Sequence, residues 1–185
     1  AYNQPVIEHA GTHYRRILLP IDSSRRAESA LPAGIALARG ESSSPPGETT
    51  LVLAAVIKPP EVPIPEPHPA EIERLAEQLI QISRLAVSNY LNEMKERLPV
   101  ECETCVLENN NVASAIQDVA DQEEDIDLVV LCAHGYTGRS TWPYGSVARN
   151  YMEHGTKPVL VIQDVLRSQV RPTAAEIAAE KSGSR

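Results

Sequence analysis

The residues with the clearest chemical potential are Gly135, Gly138, Gly145 and Ser146, set at the end of the run Asp127-Leu-Val-Val-Leu-Cys-Ala-His-Gly135 and beyond it. Glycines bring backbone freedom and bare amides close to a ligand, and a serine hydroxyl at a helix start adds a further donor. The combination suits an anion, above all the phosphates of a nucleotide. Asp22, which closes an apolar run near the start, is a second polar candidate, with a helix cap for Ser23-Ser24 as its plainer role. His134 lies inside the glycine loop as a tempting base. A nucleophile and base also need an orienting group, and none is recognisable in the sequence, so packing or bonding the loop is the better reading. Arg139 is within reach of phosphates along the chain, although an exposed arginine is the duller account, and Tyr136 and Trp142 are candidates to cover the site or meet a partner. Neither GxxxxGK[ST] nor GxGxxG occurs, so there is no P-loop lysine and no dinucleotide fingerprint.

These residues need strands and helices to position them. Leu128-Val-Val-Leu131 is continuously apolar, as expected of a parallel strand covered on both faces. Arg15 to Ile21, Leu51 to Ile57, Val100 to Leu107 and Pro158 to Ile162 supply four more strand candidates. Helical spacing of Ala27, Ala30, Leu31, Ile35 and Ala38 runs up to Gly40, with Pro32 awkward inside it. Ile72, Leu75, Leu79, Ile82, Ala86, Tyr90 and Met94 mark a long amphipathic helix whose apolar stripe reads as core. A short helix carries Val112, Ala115, Ile116 and Val119 after the turn Asn109-Asn-Asn111, where asparagine tolerates left-handed backbone. The last helix spans about Gly145 to His154. Five strands alternating with four helices make an α/β fold with a mostly parallel sheet, and such sheets bind ligands beyond the carboxyl ends of their strands. Asp22 and the stretch Cys132 to Gly138 both fall at such ends.

The connector between Lys58 and Ala70 holds Pro59, Pro60, Pro63, Pro65, Pro67 and Pro69, which enforce extended or turn geometry; it is a stiff crossing, with a lid or partner site as the functional alternative. Residues 1–14 read as an arm, 15–165 as one domain and 166–185 as a tail with helical propensity. The net charge of −8 argues against nucleic acid and against an anionic membrane surface. No apolar stretch approaches a membrane span and the start carries neither a basic region nor an apolar signal core, so the expected location is cytoplasmic. Cys102, Cys105 and Cys132 are too few and too strand-like for a disulfide framework. Cys102-Glu-Thr-Cys105 matches CxxC on paper, yet positions three apart on a strand face opposite ways.

With these motifs in hand, the chain resembles the universal stress protein family, whose nucleotide-binding members carry Gly-x-x-Gly, nine residues, then Gly-Ser or Gly-Thr. Here Gly135 is followed by Tyr136 to Tyr144 and then Gly145-Ser146, and Ile17-Leu-Leu-Pro-Ile-Asp22 is similar to the family's first strand. The family's first motif glycine falls on Cys132, where a side chain either crowds a ribose or points into the core. The resemblance implies a three-layer α/β/α fold of the adenine nucleotide alpha hydrolase-like type, with an open five-stranded sheet in the order 3-2-1-4-5. It implies an adenine nucleotide as ligand, ATP or AMP, with or without Mg. Asp22 and Val56 match the adenine end, where a carboxylate accepts from the adenine amino group and meets an acceptor in guanine. Gly135, Gly145, Ser146 and Val147 match the ribose and phosphate end, with Ser146 expected to be a plain N-cap as well, and Pro20, Cys132, His134 and Gly138 complete the expected lining. It further implies a homodimer through Val159 to Ile162, since an apolar edge strand left bare is an aggregation hazard. The expected function is a ligand-modulated binding module in stress response or signalling. A dimeric interaction protein with an empty pocket and a weak ATP hydrolase remain the alternatives, with fast hydrolysis disfavoured by the lack of a P-loop lysine, an acidic metal pair or an evident base.

Overall fold

A computed structural model describes residues 14–40, 49–123, 125–135 and 143–164. Its five strands are β1 (Arg16–Pro20), β2 (Thr50–Ile57), β3 (Cys102–Glu108), β4 (Ile126–Cys132) and β5 (Val159–Ile162). They form one fully parallel sheet in the order β3-β2-β1-β4-β5. The register shifts once, between Arg16 and Ile17, where β1 meets β4. The helices are α1 (Leu31–Arg39), α2 (Ala70–Arg97), α3 (Val112–Gln122) and α4 (Ser146–His154).

Alternation along the strands splits the core into two layers. Ile17, Leu19, Leu51, Leu53, Leu128 and Val130 face one way and pack with Leu91 and Met94 of α2. Leu18, Val52, Val129 and Leu131 face the other way and pack with Ile116 of α3 and Tyr151 of α4. Burial on both faces is why the strands read as unbroken apolar runs. Cys102 belongs to the first layer and Cys105 packs against the second, so the CxxC pair straddles the sheet.

Local sequence explains the element ends. A 3-10 turn over Ala27–Ala30 precedes α1, which places Pro32 in the first turn of the α-helix, where its missing N–H costs nothing. Gly40 stops the helix in a positive-φ conformation (φ 67°). The asparagine turn works through side chains: Asn109 Oδ1 accepts from the Asn111 amide at 2.8 Å, and Asn111 Oδ1 accepts from the Ser114 amide at 3.1 Å to cap α3. None of the three takes left-handed backbone.

One expectation fails. The apolar stripe of α2 is core only in the last turns, where Leu91 and Met94 are buried; Leu75, Leu79 and Ile82 stand exposed. The cause is length, because 28 helical residues span about 42 Å whereas a strand of seven covers about 23 Å. The first half of α2 therefore outruns the sheet it packs on.

Among the described residues no helix is long and apolar enough to cross a membrane. The expected tail helix and the arm over residues 1–13 lie outside the described residues.

Candidate functional site

At the carboxyl edge of the sheet a cleft of about 900 Å³ opens between the ends of β1, β2 and β4 and the start of α4. Pro20, Asp22, Val56, Cys132, His134, Gly135, Gly145, Ser146 and Val147 all line it. Nine of the ten expected lining residues are thus brought together, and Gly138 lies outside the described residues. Residues that sequence reasoning did not assign to the site also line it, notably Lys58, Asn110, Asn111 and Asn150. The first three follow the ends of β2 and β3, so the rule that sites sit beyond strand carboxyl ends was the signal for them.

The floor is held by backbone bonds. The Gly145 amide donates to the Ala133 carbonyl at 2.7 Å, and the Ala133 amide donates to the Ile162 carbonyl at 2.7 Å. The start of α4 is therefore tied to the residue after β4, and that residue to the end of β5. Gly135 and Gly145 have no left-handed backbone, so the demand on them is for space. A Cβ on Gly145 would sit 3.2 Å from the Ala133 oxygen, and one on Gly135 would collide with Asp22 Oδ2.

Asp22 performs local work as well as facing the cleft. Its Oδ1 accepts from the Ser24 amide at 3.1 Å and the Ser24 hydroxyl at 2.6 Å, across Ser23 in left-handed backbone (φ 62°). The capping itself falls to Ser24, whose Oγ accepts from the Ala27 amide at 3.1 Å. Oδ2 is turned across the floor toward Gly135.

Two side chains at the end of β4 take the plainer of the roles that the sequence left open. Cys132 Sγ lies 3.4 Å from Ser29 Oγ and packs with the α1 and α2 layer. Burial pushes its thiol pKa up, offset in part by the hydrogen bond to Ser29. His134 is 1% exposed, and its Nδ1 donates to Asp164 Oδ1 at 2.6 Å, with Arg26 Nε 3.4 Å from Oδ2. The orienting carboxylate absent from the sequence reading exists, yet the ring is buried and ties the end of β4 to the residues after β5. No motif pointed to Asp164, which lies thirty residues away.

Ser146 is the first residue of α4, and Gly145 takes the cap position with no side-chain hydrogen bond closing it. The expectation that Ser146 caps the helix is corrected accordingly. The first-turn amides of a helix have no partners within it and carry the positive end of its dipole, so this opening suits an anion. The cleft thus offers amides and a hydroxyl at one end, a carboxylate and the end of β2 at the other, and the Lys58 ammonium on its rim. Among the described residues no group of three or more His, Cys, Asp or Glu gathers into a metal-sized site.

A model of the universal stress protein family matches residues 13–163. Solved structures of the same fold include the universal stress protein UspA from Lactobacillus plantarum, with 22% identity, 82% of this chain and 99% of that one covered, and a TM-score of 0.67. A universal stress protein family member from Burkholderia pseudomallei shares 24% identity over 82% of this chain and 98% of that one, with a TM-score of 0.56. A family member from Arabidopsis thaliana, solved with AMP bound, shares 14% identity over 83% of this chain and 94% of that one, with a TM-score of 0.51. No curated protein matches the chain by sequence.

Proposed function

This chain belongs to the universal stress protein family, and from that membership and the geometry of the cleft we propose that it binds an adenine nucleotide, ATP or AMP, as a module whose partner contacts change with the ligand. The observation that carries the reading is the meeting of Asp22 and Val56 with Gly135, Gly145, Ser146 and Val147 in one cleft large enough for a nucleotide. Asp22 Oδ2 accepts from the adenine amino group and would face a carbonyl in guanine. The amides of Ser146 and Val147 and the Ser146 hydroxyl hold phosphate oxygens at the start of α4. A family member solved with AMP bound supports the same ligand class. Mg enters this reading only as a companion carried by the phosphates.

Binding is preferred to chemistry because His134, the candidate base of the loop, is buried on Asp164. The module is proposed to pair with a second copy through β5, the last strand of the sheet, where Leu160 is 37% exposed. Calorimetry on the whole chain with ATP, AMP and GTP tests the ligand: saturable heat with the adenine nucleotides and at least about tenfold weaker binding of GTP are expected. Absence of heat and of any thermal shift with ATP and AMP would overturn it.

A further inference from the structure

At its carboxyl edge the sheet divides between β1 and β4. The ladder that joins these two strands ends at the pair Leu18 and Val129. Beyond it β1 stays with β2 as far as Pro20 and Ala54, and the Ile21 amide still donates to the Ala54 carbonyl. Likewise β4 stays with β5 as far as Cys132 and Ile162, and the Ala133 amide donates to the Ile162 carbonyl. Asp22 thus belongs to one side of the division, and Gly135 and the start of α4 to the other.

Each side is bonded internally. On the first, Asp22 Oδ1 accepts from the amide and the hydroxyl of Ser24, and Ser24 Oγ accepts from the Ala27 amide, so Asp22 and Arg26 share one short turn. On the second, Ala133 is bonded both to Ile162 and to Gly145, so His134 and Gly135 are held with α4. Asp164 reaches across. Its Oδ1 accepts from His134 Nδ1 at 2.6 Å, and its Oδ2 lies 3.4 Å from Arg26 Nε. The contact of Ser29 with Cys132 also crosses, through a weaker sulfur bond. The His134 side chain is fully buried, that of Asp164 is 4% exposed, and among the described residues Oδ2 makes no hydrogen bond. Burying a carboxylate costs solvation that an ion pair seldom repays, so stability alone accounts poorly for this arrangement.

Given the nucleotide ligand proposed above, on which this inference rests, we propose that Asp164 is a positioning residue for the cleft. Through Arg26 and His134 it sets the separation between Asp22 on one side and Gly135 and Ser146 on the other. A ligand that reaches Asp22 with its base and the first amides of α4 with its phosphates spans the division, so its affinity depends on that separation being right before it arrives. A fragment that touches one side alone is indifferent to it. Asp164 itself does not line the cleft and acts through the two side chains that it joins.

Calorimetry with ATP and AMP on the whole chain, D164N and R26Q, well below their melting temperatures, tests the assignment. D164N keeps an acceptor for His134 and removes the charge. R26Q changes a half-exposed side chain and leaves the buried pair of Asp164 and His134 in place, so a folded variant is at hand even where D164N is unstable. Each should weaken both nucleotides by at least about tenfold, and the double variant should be no weaker than the worse single one. Adenosine and inorganic triphosphate, titrated separately by NMR, should bind the variants as they bind the parent, which a merely structural defect would not give. Folded variants with parental nucleotide affinity would overturn the positioning role, as would fragments that lose as much affinity as the nucleotides do. A parent chain that binds neither ATP nor AMP would instead overturn the nucleotide ligand, and the positioning role would fall with it.

Discussion

The two ends of one sheet are built on opposite principles. At the amino end Arg16 lies against three carboxylates, with its guanidinium 2.7 Å from Glu103, 3.0 Å from Glu123 and 3.6 Å from Asp125. Beside it the Arg15 amide donates to Asp127 at 2.7 Å. Charge there is matched by charge from the same chain. At the carboxyl end Gly135, Gly145 and Ser146 line an open cleft, and Asp22, which lines it too, has one oxygen committed to Ser24 and the other turned over the floor. The number of polar groups does not mark the functional end. What marks it is a cleft onto which polar groups open.

That contrast breaks first at Gly135. Gly135→Val would thrust a branched side chain at Asp22 Oδ2, so ATP or AMP affinity by calorimetry should fall by at least about tenfold, or about 1.4 kcal/mol. Parental affinity in the variant would mean that the glycine floor carries no ligand. Cys132→Gly sharpens the boundary of the site. Its thiol faces Ser29 and the inner layer, so stability to denaturant should drop by about 1–2 kcal/mol, from a glycine in a strand and lost packing, with affinity unchanged. A gain in affinity would show that the side chain crowds the ligand after all.

At the other end, Arg16→Ala should cost about 1 kcal/mol, as expected of a partly exposed charge network, and leave binding untouched. A change in nucleotide affinity would dissolve the distinction between the ends. The smallest effect is in pH. Burial tends to raise the Asp127 pKa, but hydrogen bonds from the Arg15 amide, its guanidinium and the Arg16 amide together hold it below the usual carboxylate value. The folded carboxylate thus protonates at lower pH than the unfolded one, near about 3.9. Its stabilisation is present above that pH and is lost as pH falls through the folded value. Thermal melts of the parent should lose stability below about pH 4 more steeply than those of Asp127→Asn.

The strands and helices were legible because both faces of this sheet are covered, which writes unbroken apolar runs into the chain. The order of the strands was not legible from periodicity; it came with the family resemblance. The direction of Cys132 was available in principle: it shares the parity of Leu128 and Val130 along β4, both of which face the α2 layer. The bare half of α2 was not available. Periodicity identifies an apolar face but says nothing of what covers it, and the helix is longer than the sheet beneath it. Asp164 was hidden for a related reason, since its bond to His134 depends on β4 and β5 lying side by side.

The position of β1 also dictates an order of assembly. Its neighbours are β2, which follows closely, and β4, whose Ile126 pairs with Arg16 from more than a hundred residues downstream. During synthesis the central strand waits with one side unpaired until most of the chain has left the ribosome, and Gly135 and Gly145 emerge later still. Such distant parallel pairings are slow to close. The cleft is therefore completed last, and a nascent chain stalled short of β4 presents an open sheet edge to whatever guards against aggregation.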